Sequence, residues 1–81
     1  MSYCLFGFSK EGCLRATARG YPINRIRQFE KDERNKGNTC IVATEDKWEL
    51  VPQKYKDHLY HVKSKDCGDM ERIRKHLKID S

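Results

Sequence analysis

The chain has 81 residues, with 17 Lys and Arg against 12 Asp and Glu, for a formal net charge of +5. That length sets a single domain spanning residues 1–81 and excludes a two-domain enzyme with an interdomain cleft. No stretch approaches the roughly 20 consecutive apolar residues of a membrane span, while one Trp, three Phe and four Tyr give aromatic mass that disordered chains lack.

The opening segment MSYCLFGFSK has no basic run before its apolar residues and no small-residue cleavage site after them, so no secretory leader is expected. Within it, residues 3–8 are rich in aromatics and read as a strand, with Phe6 and Phe8 on one face and Tyr3 and Leu5 on the other. An exposed aromatic face could stack bases as RNA-binding sheets do. The run matches no such consensus, and core packing is the stronger expectation. Ser9-Lys10-Glu11-Gly12 suits a hairpin turn with Gly12 in the left-handed conformation.

Residues 13–19 alternate, with Leu14, Ala16 and Ala18 on one side and Arg15, Thr17 and Arg19 on the other, which predicts a half-buried strand. A helix over 9–21 competes, capped by Ser9 and stopped by Gly20 and Pro22, but Gly12 in its first turn weakens it. The hairpin is favoured.

Residues 22–36 predict a helix. Pro22 suits its first turn, Ile23, Ile26 and Phe29 make an apolar face, and Gly37 stops it. Glu30 to Arg34 and Asp32 to Lys36 are i,i+4 pairs in the favourable order. Residues 39–45 predict a strand dense in β-branched side chains. A return strand over Trp48-Glu49-Leu50-Val51 would make a second hairpin ended by Pro52, and Leu59 to Val62 reads as one more short strand. A last helix over 69–78, capped by Asp66 or Asp69, buries Met70, Ile73 and Leu77. The expected fold class is α+β: a small antiparallel sheet of four to five strands with two or three helices packed on it, in the order ββαβββα or βααβββα.

Cys4, Cys13, Cys40 and Cys67 stand far apart, and without a secretory leader they are expected to be reduced thiols in the cytoplasm. A metal site can be drawn from Cys40, His58, His61 and Cys67, but no paired Cys-x2-Cys spacing supports it, so neither metal nor other cofactor is expected. Cys4, Cys13 and Cys40 read as small buried hydrophobes. Cys67, beside Gly68 and before a helix start, is the one thiol placed for activation. The phosphate loop, dinucleotide turn, nucleophile elbow and His-Glu-x-x-His are all absent, so no enzyme activity is expected.

The charge is uneven. Residues 10–36 carry +4 and residues 63–78 carry +3, around a nearly neutral centre. Arg27, Lys31 and Arg34 fall on one ridge of the first helix. Arg15 and Arg19 share a strand face about 13 Å apart. Together with Arg72, Lys75 and Lys78 they are the candidate phosphate contacts. The first expectation is therefore a basic protein contacting nucleic acid or a nucleoprotein, although the acids interleaved among these bases equally describe a solvated surface. The alternative is a regulator, an inhibitor or adaptor of the kind viruses encode, docking on one protein target through Trp48, Tyr55 and Tyr60. Tyr55 and Tyr60, with Lys54, Lys56, His58 and His61, also read as a contact loop.

Overall fold

The computed structural model describes residues 1–57, 60 and 68–77. Two strands, β1 (Tyr3–Phe8) and β2 (Leu14–Tyr21), form the expected hairpin. Ser9 closes its turn, with its amide donating to Cys13 O and its carbonyl accepting from the Gly12 amide, and Gly12 has φ +94°. Helix α1 (Ile23–Asn35) then crosses to β3 (Thr39–Thr44), which pairs antiparallel with the free edge of β1. The strand order is β2-β1-β3, with β1 central. Helix α1 ends in a Schellman closure, with Asn38 N–H donating to Glu33 O and Gly37 N–H to Arg34 O.

Among the described residues the sheet has three strands, not the four to five expected. The second hairpin is replaced by a 3-10 helix over Glu45–Leu50 and another over Gln53–Lys56. Alternation over Trp48 to Val51 is too short to decide between periods. Trp48 is the buried residue of the first 3-10 helix while Leu50 is exposed, and the buried Val51 is the extended residue that ends it, its amide donating to Trp48 O. Of the expected Leu59 to Val62 strand only Tyr60 is described, and its backbone is helical, with its amide donating to Asp57 O three residues back; the rest lies outside the described residues. The last helix, α2 (Asp69–Leu77), forms where expected and buries Ile73 and Leu77, while Met70, expected in the same stripe, is only half-buried against the core.

Strand alternation gives β1 two faces with different partners. Cys4, Phe6 and Phe8 join Trp48, Val51, Tyr55, Ile73 and Leu77 in the main core under the 3-10 helices and α2. The Trp48 ring stacks on Phe6, with centroids 5.4 Å apart and planes at 20°. Fully burying each such side chain contributes about 1.5–3 kcal/mol. On the other face, Leu5 and Gly7 lie beneath α1, which buries Ile26 and Glu33. Ile23, expected in the apolar face of the helix, is instead 39% exposed.

One register shift corrects the reading of β2. Phe8 pairs with Leu14 and Gly7 with Ala16, so a bulge leaves Arg15 opposite no residue of β1. Leu14 therefore joins Phe8 in the main core, while Ala16 and Ala18 face the α1 side, where the unbroken alternation had put all three together.

Candidate interaction surface

The sheet separates the basic residues that the sequence groups. Arg27, Lys31 and Arg34 stand exposed on α1, on one side of the sheet. Arg72 and Lys75 stand exposed on α2, on the opposite side, and Lys78 lies outside the described residues. Arg15 is exposed at the β2 bulge and donates to Leu14 O at 3.1 Å. Arg19 projects with Thr17 toward the side of the 3-10 helices.

Most of these cations meet acids. The Glu30 carboxylate accepts from Arg27 at 2.9 Å and from Arg34 at 3.2 Å. Arg19 lies 3.5 Å from Glu45 and 3.9 Å from Glu49, and its guanidinium rests 5.8 Å from the centre of the Trp48 ring. Arg72 lies 4.0 Å from Asp69. The interleaved acids are thus ion-pair partners, and the bases do not form one continuous surface.

Of the aromatic anchors expected from sequence, Trp48 and Tyr55 are placed inside and Tyr60 is half-buried against the core. Trp48 is 8% exposed and Tyr55 1%. Tyr55 packs edge-on against Tyr60, whose hydroxyl donates to Asp69 Oδ1 at 2.6 Å. Asp69 is itself fully buried and also accepts from the Leu14 amide at 3.1 Å. It therefore ties α2 to the β1–β2 hairpin, beyond the simple helix cap expected of it. Next to it, the Met70 amide donates to Gly12 O. His58 and His61 lie outside the described residues.

The thiols offer little chemistry. Cys4 and Cys13 are buried and Cys40 is half-buried. Burial pushes the Cys4 thiol up to about 11, helped by Asp46 and Glu45. Burial likewise pushes Cys40 up to about 11, helped by Glu33 and Glu30. Both thiols are thereby held in the unreactive protonated form near neutral pH. No group of three or more potential metal ligands exists among the described residues; Cys67, His58 and His61 are outside them.

What the sequence missed is a cleft between β2 and α1. Helix α1 lies mainly over β1 and β3, so β2 is left partly uncovered. The resulting space, about 490 Å³, has Leu5, Ala16 and Ala18 on its floor and Phe29 and Glu33 on its helix wall. Glu33 is held in place because its carboxylate accepts from Asn38 at 2.9 Å and from Lys36 at 3.2 Å. Lys36 thus pairs with Glu33 and not with Asp32, the partner that i,i+4 spacing suggested.

At one end the cleft opens onto an apolar patch. Tyr21 and Ile23, each 39% exposed, flank Pro22 at the β2–α1 junction. Tyr21 packs edge-on against Phe29 at 5.1 Å, and the Arg25 guanidinium sits 5.5 Å from the centre of the Phe29 ring. The sequence signal was available: Tyr21 and Ile23 stand on either side of a proline that ends one element and begins the next. The prior expectation that Ile23 is core concealed it.

No family model matches the chain, and no curated protein or solved structure matches it either. No helix among the described residues is long and apolar enough to cross a membrane.

Proposed function

We propose that this protein is a small binding module that docks on a protein partner, as an inhibitor or adaptor, through the surface where β2 meets α1. The observation carrying this reading is the pair of exposed side chains on either side of Pro22, Tyr21 and Ile23, with Tyr21 packed on the half-buried Phe29 and Arg25 over the same ring at the mouth of the cleft. Interface energy concentrates in Tyr, Trp and Arg anchors set among apolar contacts. Two of the four exposed large hydrophobic side chains among the described residues fall within this one cluster. The free thiols of Cys4 and Cys40 suit a reducing compartment such as the cytoplasm.

The test is capture from cell extract in the presence of nuclease, comparing the wild-type protein with a Tyr21→Ser/Ile23→Ser double variant. A partner held by the wild type and lost by the variant is expected. A partner held equally by both, or one lost on nuclease treatment, overturns the reading.

A second reading has its own support. Arg27, Lys31 and Arg34 share one exposed side of α1, where Glu30 pairs with both arginines, leaving a surplus of positive charge among the described residues. Contact of this ridge with nucleic acid phosphates would produce binding that weakens steeply between about 50 and 200 mM salt. Absence of binding to generic RNA and DNA at the lower salt removes it.

A further inference from the structure

We infer that β2 and the adjoining cleft accept an extended segment of the partner as an added β-strand, and that this segment alternates apolar and acidic side chains. The inference rests on the protein-docking reading above and names the form and chemistry of what docks.

The strand order leaves β2 at the edge of the sheet among the described residues, and every second residue of an edge strand directs its N–H and C=O outward. The ladder with β1 is regular from Ala16 to Arg19, between irregularities at Arg15 and near Gly20. Those irregularities limit the added strand to a short segment, four residues deep in register. Beside this stretch the sheet is uncovered, and the small side chains of Ala16 and Ala18 leave room before the helix wall at Phe29. A strand laid along the edge would place alternate side chains in that space and the intervening ones on the opposite face. Edge strand beside helix is a geometry in which main-chain hydrogen bonds give affinity and alternate side-chain pockets give specificity.

Charge decides the occupant. The charged residues of β2, Arg15 and Arg19, are both basic, and the strand contains no acid. A second copy of β2 would bring its own Arg15 and Arg19 to the same edge, and like charges brought together across paired strands are destabilising. An acidic strand meets the Arg19 guanidinium favourably, with Arg15 just beyond the end of the regular ladder. The contacts of Arg19 with Glu45 and Glu49 are long and exposed, so exchanging them for a partner carboxylate costs little. Apolar side chains between the acids fit the Leu5, Ala16, Ala18 and Phe29 surfaces of the cleft, and the acids, on the opposite face, are kept away from the Asp32 and Glu33 carboxylates on its helix wall.

The experiment titrates the isotopically labelled full chain with a synthetic peptide alternating valine and glutamate, following amide shifts and hydrogen exchange. Shifts and new exchange protection over Ala16–Arg19 are expected. N-methylating the peptide's ladder amides should weaken binding about tenfold, the equivalent of one or two hydrogen bonds. A peptide with lysine in place of glutamate should also bind more weakly. An Ala18→Trp variant fills the cleft and should abolish the response. If that variant fails to fold, the N-methyl comparison still decides. Shifts confined to Tyr21–Phe29 overturn strand addition while leaving the docking reading standing. No response at about 1 mM peptide, an interaction weaker than about −4 kcal/mol, or equal binding of the N-methylated peptide, overturns strand addition alone. The docking reading is decided separately by extract capture with the Tyr21→Ser/Ile23→Ser variant.

Discussion

Glu33 Oε1 lies 2.9 Å from the point where a Cβ on Gly7 would stand. The helix carboxylate fits over the central strand because the residue beneath it has no side chain, and Asn38 and Lys36 hold it there. Gly7→Ala should therefore destabilise the protein, since overpacking a tethered neighbour costs about 1–2 kcal/mol. In a Glu33→Ala background the sign should reverse, because alanine is favoured over glycine in a strand by roughly 0.5–1 kcal/mol. Urea unfolding of the two singles and the double gives the cycle. Equal effects of Gly7→Ala in both backgrounds would show that the close approach does not constrain the fold.

Asp69 is the corresponding link on the other side of the sheet. Its two carboxylate oxygens accept from the Leu14 amide and the Tyr60 hydroxyl inside the core. Asp69→Ala leaves a buried amide unsatisfied and releases the hydroxyl, a loss of about 2–4 kcal/mol. Tyr60→Phe removes one charge-assisted bond and should cost about 1.5 kcal/mol. The expected order of urea midpoints is wild type, then Tyr60→Phe, then Asp69→Ala. Tyr60→Phe falling below Asp69→Ala would contradict this assignment.

The elements legible in the sequence are those whose signal is local. Alternation and a turn glycine gave β1–β2, Gly37 marked the end of α1, the β-branched run gave β3, and Ile73 and Leu77 gave the buried stripe of α2. What escapes a local reading depends on distant partners. Glu33 is buried because Gly7 on another element makes room for it. Trp48 turns inward to stack on Phe6, and a 3-10 helix delivers it where four alternating residues suggested a strand. The bulge at Arg15 moves Leu14 to the opposite face from Ala16, and no residue type near it announces the change. The cleft arises from the placement of α1 relative to β2, which no spacing within either element encodes.

The raised thiols give a pH signature. Cys4 titrates from an ordinary value of 9.0 to about 11 in the fold, and Cys40 does the same. Both groups therefore favour the folded state as neutral thiols, and this contribution is fully present below pH 9.0. It is lost as pH rises from 9.0 toward about 11, because the unfolded chain releases these protons first. Site-resolved alkylation of the native protein near neutral pH should be slow at Cys4 and Cys40 and accelerate across the same window. Fast modification of Cys40 near neutral pH would show that its surroundings do not hold it protonated.

Glu30→Gln separates the two functional readings. Arg27 and Arg34 both bond to this one carboxylate, so its neutralisation releases two guanidinium groups on the exposed side of α1 beside Lys31. The loss to helix stability is small, a few tenths of a kcal/mol for each i,i+3 or i,i+4 pair. If the α1 ridge contacts phosphates, the variant should bind generic DNA more tightly at about 50 mM salt, and the advantage should shrink by about 200 mM as counterion release weakens. Filter binding or fluorescence anisotropy measures both. If the protein instead docks through Tyr21 and Ile23, DNA binding stays negligible in both proteins and capture of the protein partner is unchanged, because Glu30 pairs with the arginines and takes no part in the exposed patch. Tighter DNA binding by Glu30→Gln together with undiminished capture by Tyr21→Ser/Ile23→Ser would therefore move the functional surface from the β2–α1 junction to the outer face of the helix.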